Sequence, residues 1–128
     1  MNRTTGEQTY TTTEGAKHVN NAQVDIWGIY RGASLHLVTN YTVNSTSIKI
    51  DDTNTSGTKD LFPVKVDVKK NATLSNSDRN VASYAEYLVT FIHEKLGASN
   101  TWRLETHLKV LYAGNGSITF TAETKWFY

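Results

Sequence analysis

The sequence predicts an α+β domain: a mainly antiparallel, twisted sheet or partly closed barrel of about six strands, with one amphipathic helix before a long C-terminal β-hairpin. Three observations predict it. Short runs between residues 22 and 69 alternate apolar and polar side chains, as half-buried strands do. One run from Val81 to Leu96 repeats apolar residues at three- and four-residue steps. The last 27 residues alternate almost without a break on either side of Gly114-Asn115-Gly116.

Composition bounds the rest. The chain has 128 residues and suits one core. It contains no cysteine, so neither a disulfide framework nor a thiolate metal site is available to it. Its 13 basic and 12 acidic residues leave a formal charge of +1. Such a balance gives little long-range pull toward nucleic acid or an anionic membrane, and little self-repulsion to oppose association. No apolar leader region follows Met1 and no apolar run is long enough to span a bilayer, so a cytoplasmic or virion location off the membrane is expected.

Residues 1–21 read as a polar N-terminal arm, and 22–128 as a single β-rich domain. In the first strand Val24, Ile26, Gly28 and Tyr30 face one side, with Asp25, Trp27 and Ile29 on the other. Arg31-Gly32 reads as a turn. The next strand sets Leu35, Leu37, Thr39 and Tyr41 against His36, Val38 and Asn40. Thr46, Ile48 and Ile50 suggest a third, and residues 51–60 a polar loop. Pro63 opens a strand in which Val64, Val66 and Val68 alternate with Lys65, Asp67 and Lys69. The helix is expected to be capped by Ser77 or Asp78. It would bury Val81, Tyr84, Ala85, Leu88, Phe91, Ile92 and Leu96, and stop at Gly97.

The hairpin's register can be argued from its two faces. A plain two-residue turn at Asn115-Gly116 would set Tyr112 opposite Thr119 and Val110 opposite Thr121, apolar against polar throughout. Pairing even positions with even repairs both faces at once. Tyr112 then meets Ile118, Val110 meets Phe120, Leu108 meets Ala122, Leu104 meets Trp126 and Trp102 meets Tyr128. Outside, Glu105 meets Lys125 and His107 meets Glu123. This register needs an odd-length loop, or a bulge that does the same job.

Candidate chemistry is sparse. No two of His18, His36, His93 and His107 stand at metal-ligand spacing, and His93-Glu94 lacks the second histidine of a zinc-protease helix. No cofactor or metal is expected. Nucleophile elbows and phosphate-binding loops are missing from the sequence. Trp27 and Phe127 lie opposite their strands' main apolar faces, and the chain closes on Lys125-Trp126-Phe127-Tyr128. An aromatic exposed on a sheet marks a ligand platform or a subunit contact. Trp27, Arg103, His107, Lys125, Phe127 and Tyr128 are therefore the candidate interface or ligand residues. Basic residues 65, 69, 70, 103, 109 and 125 are interleaved with Asp67, Glu105 and Glu123, so nucleic-acid binding is permitted without being indicated.

These observations favour a non-enzymatic, self-assembling structural subunit. A virion, tail or shell component is the type, forming a homo-oligomer through the N-terminal arm and the C-terminal hairpin. The alternative is an OB-like binding module for single-stranded nucleic acid, oligosaccharide or protein. A third reading is a small enzyme with His36 and His107 as acid and base.

Overall fold

Threonine, valine and aromatic residues recur along the whole chain, and the backbone answers with extended structure almost throughout. The computed structural model describes residues 2–13, 15–27, 31–44, 47–60, 64–77, 79–91, 98–114 and 117–127, with side chains except at 2–8, 27, 31–32, 75–77, 91 and 98. These residues form strands β1 (Asn2–Thr13), β2 (Ala16–Trp27), β3 (Arg31–Val43), β4 (Ile48–Asn54), β5 (Lys59–Asp60), β6 (Val64–Ser77), β7 (Asn80–Phe91), β8 (Ala98–Gly114) and β9 (Ser117–Phe127). A large sheet runs β1-β9-β8-β7-β6. A small sheet runs β2-β3-β4, with β5 also on β3. All pairings are antiparallel, and neither sheet closes into a barrel.

The expected α+β class is therefore overturned: the described residues contain no helix. The segment read as a helix is β7, the strand between β6 and β8. Its inward side chains Val81, Ser83, Ala85, Tyr87 and Val89 are buried, and so are Ala82 and Tyr84 on the opposite face. A strand covered on both faces loses its alternation, and its apolar residues then fall at helical spacings by coincidence. Its valines, tyrosines and threonine are strand formers, and tertiary packing on both sides decides the outcome. Residues 92–97 of the expected helix lie outside the described residues.

Three smaller expectations also change. The polar stretch expected as an arm is strand: Asn2–Thr13 pairs along β9, and 16–21 opens β2. Arg31 and Gly32 belong to β3, with Arg31 opposite Trp27, so the chain reverses before them. Strand β4 continues through Asn54, and only 55–58 remain outside strands in the expected 51–60 loop.

The hairpin register holds from Leu104 opposite Trp126 to Val110 opposite Phe120, and a bulge supplies the odd residue. Past Val110 the pairing shifts. Tyr112 faces Thr119 and Ala113 faces Ile118, which corrects the expected Tyr112–Ile118 pair. The extra residue is Leu111. Tyr128, the expected partner of Trp102, lies outside the described residues.

The sheets pack face to face around two apolar clusters. One gathers Leu35, Leu37, Tyr87, Val89 and Leu104, with Trp102 stacked on Trp126 at its margin. The other gathers Tyr41, Val43, Ile48, Leu108, Ile118 and Phe120. Between them runs a row of polar side chains in strict register. Asn20, Thr39 and Thr53 are paired neighbours in the small sheet. Thr73, Ser83, Thr106 and Thr124 are paired neighbours in the large one. Three hydrogen bonds join the rows across the gap: Thr53–Thr73 at 3.3 Å, Thr39–Ser83 at 2.6 Å and Asn20 Nδ2 to Thr106 Oγ1 at 3.3 Å. The Thr39, Ser83 and Thr106 hydroxyls are buried, and they are tolerated there because each has a partner in this row.

Candidate interaction surface

Four of the six residues singled out in the sequence come together on the outer face of the large sheet. Arg103 pairs with Phe127, Glu105 with Lys125 and His107 with Glu123, so Arg103, His107, Lys125 and Phe127 share one patch. Trp27 ends β2 in the other sheet, and its side chain, like the whole of Tyr128, lies outside the described residues.

Charges on this patch lean along the strands more than across them. Glu105 accepts from Arg103 Nε at 2.6 Å and from His107 Nε2 at 2.7 Å, its neighbours two positions away on the same face. Lys125 Nζ turns to Glu123 at 3.3 Å, and Arg103 reaches Glu86 across the ladder at 3.0 Å. The Arg103 guanidinium also lies 4.0 Å from the centre of the Tyr84 ring, which helps bury that ring. Burial works against a charge on Glu105. The hydrogen bonds from His107 and Arg103 outweigh it and hold the carboxyl below its usual range. Each cation sits beside a carboxylate, so the patch offers no uncompensated positive strip for a phosphate backbone.

A second polar cluster occupies the outer face of the small sheet. Ser34 Oγ donates to Asp25 Oδ1 at 2.8 Å and lies 3.0 Å from His36 Nε2, while His36 Nδ1 is 3.2 Å from Asn21 Oδ1. The atom types resemble a base beside a nucleophile, but Ser34 is 1 % exposed. A hydroxyl that no substrate can approach serves as a brace between β2 and β3. The segment 55–58 is stitched over it. The His36 amide donates to Thr58 Oγ1 at 3.0 Å, and the Tyr87 hydroxyl donates from beneath to the His36 carbonyl. His36 and His107 lie on opposite outer faces of the sandwich, so they do not form an acid–base pair.

The two flanks of the sandwich differ more sharply than its faces. On one flank β1 and β2 are stacked edges, joined where His18 Nε2 meets Thr12 Oγ1 at 3.2 Å. The His18 ring also stacks on Tyr41 and lies against Phe120. Strand β1 pairs without a break from Gly6 to Thr13, with Glu7 its only charged residue there. Strand β2 pairs without a break from Ala16 to Ile26, with nothing charged between Lys17 and Asp25 apart from what His18 carries. Tyr10 and Val19 are exposed along this flank, Val19 by 65 %. The opposite flank is guarded. Strand β6 is interrupted at two points and carries Lys65, Asp67, Lys69 and Lys70. Strand β4 is seven residues long, carries Lys49, Asp51 and Asp52, and is also interrupted. Bulges and lysines are the devices by which sheets refuse edge-to-edge pairing. On one flank they interrupt the strands midway; on the other the breaks, between Thr4 and Gly6 and between Ile26 and Trp27, lie near the strand ends, and Lys17 is the only lysine. The sequence holds the signal in its lysine-free run 6–13 and in Val19, but which strands would be edges could not be read from it.

No protein-family model, curated protein or solved structure matches the chain. Among the described residues, no group of three or more histidine or carboxylate side chains is placed to hold a metal ion. No described helix is long and apolar enough to cross a membrane.

Proposed function

We propose that the protein is a non-enzymatic structural subunit that self-assembles through the β1/β2 flank. A shell- or tail-type component of a virion is the setting that its balanced charge and lack of cysteine suit. The observation that carries the reading is the asymmetry of the flanks. Unpaired edge amides and carbonyls are a template for another strand, and this flank leaves two edges with long unbroken stretches, Gly6 to Thr13 and Ala16 to Ile26, that carry few charges. The near-zero net charge leaves little repulsion for two copies to overcome.

The test is molar mass in solution by light scattering, across a concentration series, for the natural chain and two variants. Thr9→Lys combined with Val19→Lys places charge on both open edges and should lower the oligomer's mass. Asn71→Lys, on the guarded β6 edge, should leave the mass unchanged. A natural chain that stays at 14.3 kDa at every concentration would sink the proposal. So would an oligomer indifferent to the lysines on β1 and β2.

A further inference from the structure

We propose that Leu111 and Tyr112 form a knob that seats in the cleft between β4 and β7 of a second copy of the chain. This rests on the assembly reading and adds a second contact, distinct from the edge strands.

The bulge is the starting point. Without it, the alternation of β8 would carry Tyr112 inward beside Val110 and Leu108, over Ile118. The extra residue at Leu111 reverses the alternation and turns Tyr112 to the outer face opposite Thr119. Tyr112 is left 65 % exposed and Leu111 46 % exposed, side by side near the end of the β8–β9 hairpin. The bulge leaves a large apolar ring in solvent while Ala113 takes the inward position opposite Ile118. Bulges of this kind re-aim a side chain toward a task.

A pair of large side chains at a hairpin end protrudes, so it is suited to insertion. The hollow must then be on the partner. Such a hollow exists at the same end of the sandwich, a cleft of about 360 Å³ lined by Asn44, Ser47, Ile48, Lys49, Ile50 and Val81, with Thr73. Its floor is the margin of the second apolar cluster, through Ile48, Ile50 and Val81. Its polar groups are Asn44, Ser47, Lys49 and Thr73. An apolar floor with polar groups around it matches a tyrosine, whose ring seeks burial and whose hydroxyl seeks a partner. Knob and cleft lie at one end of the same chain, so each copy can both give and receive.

The cysteine-free chain permits a direct test. Tyr112→Cys and a size-tagged Lys49→Cys are prepared separately, mixed at a concentration where the natural chain is oligomeric, and treated with a short bis-maleimide. The expected product is the mixed covalent dimer, in excess over either homodimer. Tyr112→Ala, folded by circular dichroism, should lower the oligomer's mass by about half or more. An oligomer that yields no mixed adduct, or in which Tyr112→Cys links only to itself, overturns the knob-and-cleft contact and leaves the edge-strand reading standing. A natural chain that is monomeric throughout removes both.

Discussion

The side-chain oxygens of Thr39 and Ser83 lie 2.6 Å apart across the space between the two sheets, and both residues are fully buried. They are the middle of a polar row that separates one apolar cluster from the other, and they hold β3 over β7 at one relative position. Each is the other's partner across the gap. Thr39→Val should therefore cost about 1–3 kcal/mol, because it strands the Ser83 hydroxyl away from water. Adding Ser83→Ala should cost less than the two single changes summed. Urea denaturation of the four proteins closes the cycle, and strict additivity would show that the two residues do not act as a pair.

Glu105 should make the stability of the domain depend on acid. Its carboxyl is held below the usual value of 4.5 by His107 and Arg103 against the opposing effect of burial. A depressed folded value means that the stabilisation is present above the unfolded value. It is lost as pH falls through the lower, folded one. Melting temperature should fall across that acidic window in the natural chain. Glu105→Gln should be less stable at neutral pH and should show a shallower acid limb.

Two buried tyrosines should act at the other end of the scale. Burial, with a smaller contribution from Tyr10, pushes Tyr41 up to about 12 from an ordinary 10.0. Burial raises Tyr87 too, against the hydrogen bond with Thr58. A raised folded value gives stability that is complete below the unfolded value and is lost as pH rises through the folded one. Unfolding free energy should therefore decline from about pH 10 upward. Tyr41→Phe should flatten that decline, and spectrophotometric titration should lose its late step near pH 12.

Gly15 and Gly57 both hold positive φ, at 84° and 93°, but they should respond differently to alanine. A Cβ at Gly15 meets nothing within 4 Å, so Gly15→Ala should cost only the backbone strain, about 1–2 kcal/mol. At Gly57 the added carbon would stand 3.1 Å from His36 Nδ1. Gly57→Ala should cost more, and should perturb the His36 ring resonances. Equal losses at both sites would show that 55–58 yields freely over His36.

Much of this was legible in the alternation of side chains. Leu35, Leu37, Thr39 and Tyr41 share an inward face as their spacing says, and the β8–β9 register follows from asking both faces to match at once. Even Thr39, Thr106 and Thr124 stand at inward positions in the sequence. What could not be read is that they align, because alignment across sheets is a property of the packed structure. The central strand β7 was illegible for a related reason: with Ala82 and Tyr84 covered as well as Val81 and Ala85, no alternation survives. The patch of Arg103, His107, Lys125 and Phe127 followed from period two alone. The open flank did not, since β1 is as polar as a disordered tail until β9 supplies its other half.

The unequal flanks also bear on how far a sheet could grow. If β1 and β2 of one copy both pair with the same flank of another, each composite sheet ends on both sides in a guarded edge, β6 or β4. Lysines and interruptions then face outward in both directions, and no third copy finds a template. A chain so rich in strand formers is a natural candidate for ribbon-like aggregation. With one receptive side per molecule, sheet extension terminates after a single step. Any larger particle must then be built along a different axis.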